Sequence, residues 1–145
     1  MKIIIEDINP DEEEVVIIRC RNLSDTALKL ISELKTEKKK LIGMKDGTIT
    51  MIDLNNIYYF ESVDNKVFIY CKQDVYESKL KLYEIEEQYN NTSFFRASKS
   101  VILNMAKIKS VSPVFSGRFE ALLLNGEKVV ISRQYVPELK KRLGL

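Results

Sequence analysis

From residue 41 onward the chain is a series of short β-rich runs separated by turn residues, a pattern that builds antiparallel hairpins and little else. "LIGMKDGTITMI" sets Asp46-Gly47 between two apolar runs. "NIYYFESV" and "KVFIYCK" meet through Asp64 and Asn65, and "RFEALLL" reaches "EKVVIS" through Asn125-Gly126. Such residues accept the positive φ of tight hairpin turns, so each dipeptide marks a reversal and constrains a register. A further run, "KIKSVSPVF", turns back at Ser116-Gly117. Two helices interrupt the series. In "SKLKLYEIEEQY" Ser78 is an N-cap candidate, and Leu82, Ile85 and Tyr89 fall on one inward face. "RQYVPELKKRL" is a short terminal helix that tolerates Pro137 in its first turn. The expected fold class is mainly β with short helices (α+β).

The first 37 residues differ in pattern. "KIIIEDI" and "EVVIIRCR" flank the turn "NPDEEE" and read as a β-hairpin. A helix follows, with Asn22 or Ser24 as cap and Leu23, Ala27, Leu30, Ile31 and Leu34 at helical spacing. "KTEKKK", residues 35–40, reads as a solvated linker. The expected organisation is therefore an accessory hairpin and helix over 1–37 and a β domain over 41–145. The hairpin and helix are marginal alone. The apolar Ile3, Ile5, Val15, Ile17, Leu30 and Leu34 thus need a surface: a second copy, the chain's own β domain, or another protein. A second copy is the favoured reading.

Several chemistries drop out on residue types. The 145 residues include no histidine, which removes Ser-His and Cys-His nucleophiles and HExxH metal sites. Neither GxGxxG nor a Walker A loop is present. Cys20 and Cys71 are far apart in apolar runs and read as core thiols. No cofactor is implied. Apolar runs such as "ALLL" are too short to span a bilayer, and the start lacks a secretory signal, so a cytoplasmic protein is expected.

Charge is distributed unevenly. Residues 1–92 hold 13 Lys+Arg against 18 Asp+Glu, a net of −5; residues 93–145 hold 10 against 3, a net of +7. A basic third on a nearly neutral chain suggests a polyanionic partner. Within it, "FFRASKSVILNM" (residues 94–105) sets core residues directly beside Arg96, Ser98, Lys99, Ser100 and Asn104, at a spacing that fits neither a clean strand nor a clean helix.

The order "NIYYFES…NKVFIY", "KLYEIEEQY", "FFRASKSVILNMAKIKSV" and "LLLNGEKVVISRQYVPELKKRL" resembles the LytTR-type DNA-binding domain over about residues 41–145. The "FFR…S…N…I" segment and the "G…(V/I)SR" ending carry the likeness. The family usually has His-Arg-Ser or His-Asn-Ser where this chain has Ser98-Lys99-Ser100. The resemblance implies an elongated set of small sheets that docks loops into successive major grooves, without a helix-turn-helix. It also implies a stand-alone bacterial transcription regulator, response regulator-like, bound to a repeat-containing promoter site. Such a site rewards two linked copies by raising effective concentration, so a homodimer through residues 1–37 is expected. Some similar regulators are paired with an inhibitory membrane protein.

The same resemblance assigns residues. Phe94 and Phe95 would anchor a loop from which Lys99 and Ser100 project. Arg133 would support the last loop or bind phosphate, and Gln134 would read a base, adenine being the edge it suits. Asn65 and Lys66 sit where family members present a second groove-reading side chain. Lys107 and Arg118 are further phosphate candidates. Two other classes compete. Tyr58, Tyr59, Phe68, Tyr70 and Phe119 could form a stacking platform for single-stranded nucleic acid. Glu61 and Asp64 could serve an enzyme as a carboxylate pair.

Overall fold

The expected hairpins of the β domain all form in the computed structural model, which describes residues 2–36 and 40–145. Seven strands make one antiparallel sheet: β1 (Lys40–Lys45), β2 (Thr48–Asp53), β3 (Ile57–Val63), β4 (Lys66–Cys71), β5 (Val75–Ser78), β6 (Phe94–Arg96) and β7 (Val101–Asn104). Their spatial order is β2-β1-β5-β4-β3-β7-β6. A second, three-stranded sheet holds β8 (Ile108–Pro113), β9 (Phe119–Leu123) and β10 (Lys128–Ile131) in the order β10-β9-β8. Among the described residues no two α-helices are consecutive, so there is no helix-turn-helix.

Strand alternation divides the interior into two cores. One face of the large sheet presents Leu41, Ile52, Phe60, Val67, Ile69 and Ile102 to α2 (Leu82–Gln88), whose Leu82 and Ile85 are buried with Tyr89 against them. The other face, at the β3-β7-β6 end, packs Tyr58, Phe95, Val101 and Leu103 on Ala121, Leu123, Val129 and Ile131 of the small sheet and on α3 (Val136–Leu143). Each fully buried side chain of this size contributes about 1.5–3 kcal/mol relative to exposure. Gly43 lets β1 lie close to its neighbours: a Cβ there would stand 2.5 Å from Ile52 Cδ1 and 2.7 Å from Tyr76 Cβ.

The two cores explain the mixed spacing of "FFRASKSVILNM". It is a hairpin, β6-loop-β7, whose strands are covered on both faces at once. Phe94 enters the first core and Phe95 the second. Asn104 is buried but satisfied, donating through Nδ2 to Ile57 O at 2.7 Å and accepting from Ala106 N–H at 3.0 Å.

Three expectations need correction. The N-terminal hairpin does not form. Its turn is present, with Glu12 N–H on Asn9 O at 3.0 Å, but the flanking runs pair with nothing as strands. Ile3, Ile4, Ile5, Val15, Val16 and Ile17 are exposed, Ile5 at 88%. Consecutive β-branched residues give such runs no single apolar face, and an isolated two-stranded ribbon is marginal. The helix does form, as α1 (Asp25–Thr36), capped by Ser24 Oγ, which accepts from Ala27 N–H at 3.2 Å. Of its apolar residues Ala27 is buried and Ile31 half-buried, while Leu30 and Leu34 are exposed. Cys20 is exposed rather than in a core. Cys71 does pack against the first core, and burial pushes its thiol up to about 11. Finally, Ser78 takes the Leu80 N–H and leaves the N-cap of α2 to Lys81, whose N–H is held by the Glu84 carboxylate at 3.1 Å. The middle of the expected linker, 37–39, lies outside the described residues.

Candidate nucleic-acid interface

Strand register brings most of the candidate residues to one end of the large sheet. β3 and β4 pair through Val63↔Lys66, which leaves Asp64 and Asn65 as a two-residue turn with φ of 51° and 63°. Two successive positive φ values are the signature of a type I′ hairpin turn. Asn65 and Lys66 are exposed at its tip. Lys81 Nζ donates to Asn65 O at 3.1 Å, bracing the turn from the β5-α2 connection.

The loop at 97–100 lies beside this hairpin, because β7 pairs with β3 through Glu61↔Val101. One bond ties the two directly, Ser62 N–H to Ser100 O at 2.8 Å. Arg96 holds the loop from below. Its Nε donates to Ser98 O at 2.8 Å, its Nη2 to Lys99 O at 2.7 Å, and its Nη1 pairs with Glu86 Oε2 at 2.7 Å. Ser100 N–H reaches Ser98 Oγ at 3.3 Å. The Lys99 side chain is exposed on this braced backbone, while Ser100 is half-buried.

A third loop joins the same end. Ser132 N–H donates to Ala97 O at 2.8 Å, which places the turn Arg133–Tyr135 against the 97–100 loop. Arg133 and Gln134 are both exposed. Beside them, the turn between β8 and β9 brings Gly117 under Arg133: a Cβ on Gly117 would stand 3.0 Å from Arg133 Cδ. Gly117 has φ 74°, so its bare Cα serves both the turn and the arginine. Arg118, exposed, donates from Nε to Phe115 O at 3.1 Å in that turn.

Asn65, Lys66, Lys99, Ser100, Arg118, Arg133 and Gln134 therefore share one end of the molecule. Lys107 does not. It follows β7 at Asn104, the opposite end of the strand, where its Nζ lies 5.2 Å over the Tyr58 ring. Part of the basic excess also serves the fold. Arg142 donates from Nη1 to Thr92 O at 2.6 Å and sits 5.5 Å over the Phe95 ring, tying α3 to β6. Sequence reasoning missed the bracing roles of Arg96 and Lys81. Arg96 stood inside the family motif, but only the hairpin geometry turns it toward two loop carbonyls.

The groups behind the competing readings are occupied otherwise. Tyr59 and Tyr70 stack on each other, ring centroids 4.3 Å apart and planes 10° apart. Burial, with the Glu127 carboxylate beside it, holds the Tyr59 hydroxyl well above its ordinary range. Tyr58 is buried between the sheets, and Phe119 belongs to the small sheet with Lys140 5.7 Å from its ring. These rings do not make one open platform. Glu61 accepts from the Tyr70 hydroxyl at 3.3 Å, and Asp64 is an exposed turn residue. Among the described residues no group of three or more acidic or thiol side chains could hold a metal ion, and no helix is long and apolar enough to cross a membrane.

Residues 47–144 match the family model described as the LytTr DNA-binding domain. The sensory transduction protein LytT of Enterococcus faecalis (strain ATCC 700802 / V583) is 34% identical over 100 residues, covering 69% of this chain and 41% of that one. An uncharacterized HTH-type transcriptional regulator of Staphylococcus aureus (strain NCTC 8325 / PS 47) is 28% identical over 141 residues, 95% of each chain. Among solved structures, a LytTr DNA-binding domain of a putative methyl-accepting/DNA response regulator from Bacillus cereus superposes with a TM-score of 0.70 at 26% identity. It covers 74% of this chain and 99% of its own. The chain spans less than half the length of the LytT relative from Enterococcus.

Proposed function

The chain belongs to the LytTr DNA-binding domain family, and on that premise we propose that it is a sequence-specific transcription regulator that reads duplex DNA through its three clustered loops. The observation behind this reading is the pair of backbone bonds, Ser62 to Ser100 and Ser132 to Ala97, that fastens three exposed polar tips into one surface. Contacts to phosphate fix position, and contacts to base edges select sequence; both gain from groups held in place.

Roles divide by chemistry. Gln134 reads a base, its amide suiting adenine N6 and N7, and Arg133 beside it supports the loop and meets phosphate. Asn65 and Lys66 enter a neighbouring groove at the hairpin tip. Lys99 and Arg118 neutralise phosphates, and Ser100 keeps its loop in register with β3. Lys107, at the far end of the strands, has no part in this surface.

The site is a repeat-bearing promoter element bound by two copies of the chain. The exposed apolar residues of 2–34 support association, since linking two reading domains raises their effective concentration on paired half-sites. An inhibitory membrane protein, of the kind the family resemblance implies for stand-alone regulators, would compete for the same apolar segment. A DNA-bound regulator of this kind acts in the cytoplasm and needs no cofactor.

Selection of bound duplexes from a random pool with the purified chain tests the reading. Enrichment of a defined motif is expected, bound more tightly than either of its single strands. Equal or better binding of the single strands would instead favour a stacking mode.

A further inference from the structure

The turn between β8 and β9 exposes a side chain that no packing within the chain explains. Phe115 is 86% exposed, and it is the one exposed phenylalanine among the described residues. The turn that holds it is well braced. Val114 N–H bonds Arg118 O at 2.9 Å across its base, and Arg118 Nε donates to Phe115 O at 3.1 Å. Ser116 and Gly117 follow with φ of 64° and 74°, which fixes a sharp reversal directly after the ring. The Arg133 side chain lies across Gly117. A large apolar ring thus stands in water on a braced tip, on a turn that Arg118 bonds and the Arg133 side chain crosses.

Those neighbours identify what covers it. Arg118 and Arg133 repel a cationic partner and attract a polyanion, and Arg133 adjoins Gln134 in the reading loop. We propose that Phe115 is a specificity-determining DNA contact, its ring packing on the C5-methyl group of a thymine at the flank of the stretch read by Gln134. This rests on the duplex-reading function proposed above. The thymine methyl is the one apolar group that base edges present in the major groove. With the two arginines of this surface on phosphates, the ring on the same turn meets the groove rather than solvent. A neutral ring on a methyl group releases no counterions, so its contribution is insensitive to salt.

The test uses the full chain and the duplex enriched from the random pool, with affinity read by fluorescence anisotropy at several salt concentrations. Phe115→Ala should weaken binding about tenfold (about 1.4 kcal/mol) with an unchanged salt slope, and Phe115→Leu should keep most of the affinity. Replacing thymines one at a time by deoxyuridine removes single methyl groups. At one position this should reproduce the loss in the parent chain and add nothing to Phe115→Ala. Thermal unfolding should be unaffected, because the ring touches neither core. If Phe115→Ala binds like the parent, or loses affinity equally on every duplex, the proposal is overturned. Continued weakening by Gln134→Ala would then leave the duplex-reading function standing. If the parent enriches no duplex at all, that function fails and this proposal falls with it.

Discussion

Replacing Arg96 by lysine keeps the charge and removes the planar fork, which separates bracing from phosphate contact. The arginine side chain is only 18% exposed and makes two bonds to loop carbonyls, at 2.8 and 2.7 Å, in addition to its pair with Glu86. Hydrogen bonds from a charged donor contribute about 1.5–3 kcal/mol each. The Glu86 carboxylate is half in water, so that pair adds only about 0–1 kcal/mol. A lysine has three donors on one compact ammonium but no planar fork to span both carbonyls and Glu86 from this position, so about one of the carbonyl bonds is lost. The expected loss is therefore about 2 kcal/mol, concentrated in the 97–100 loop rather than in either core. Apparent affinity falls with the fraction of protein whose loop is ordered, so duplex binding should weaken by up to roughly 30-fold. Arg96→Met keeps neither carbonyl bond and should weaken binding further than the lysine variant. In both variants the slope of log K against log salt should match the parent, because this charge never meets a phosphate. Amide exchange would report faster opening at residues 98–100. Parent-like affinity in Arg96→Lys, or a slope shallower by about one unit in Arg96→Met alone, would refute the bracing argument.

Lys99→Ala should make the salt slope shallower by about 0.9 and weaken specific and non-specific duplexes together, whereas Lys107→Ala, at the other end of the strands, should leave the slope unchanged; titrations at four salt concentrations check both. At the hairpin tip, Asn65→Ala should lower stability by about 1 kcal/mol because alanine resists a φ of 63°, while Asn65→Gly should preserve the turn and isolate any loss of base reading in the binding assay. Sedimentation of the full chain should show a concentration-dependent dimer, and a chain starting near Lys40 should run as a monomer; two monomers would reject association through the N-terminal segment.

The local grammar of the β domain can be read from residue order alone. Asp46-Gly47, Asp64-Asn65 and Asn125-Gly126 each demand a tight reversal, and strands must flank them, so the hairpins were legible without a fold. The inward face of α2 followed in the same way from 3.6-residue spacing at Leu82, Ile85 and Tyr89. These signals act over a few residues, where backbone sterics and burial period decide.

The remaining features depend on long-range contacts. The N-terminal runs were rich enough in β-branched residues to suggest a hairpin, but among the described residues nothing covers them, and propensity without a buried face does not make a sheet. "FFRASKSVILNM" defied periodicity because β6 and β7 lie between two cores, a condition set by where the second sheet docks. Lys99 and Lys107 look alike as basic residues eight positions apart, yet one strand runs between them and carries them to opposite ends. Arg96 reads only as a polar residue set beside the core until the hairpin turns its fork onto two carbonyls. In each case the deciding contact joins residues far apart in the chain, or depends on strand direction, and residue type alone does not encode it.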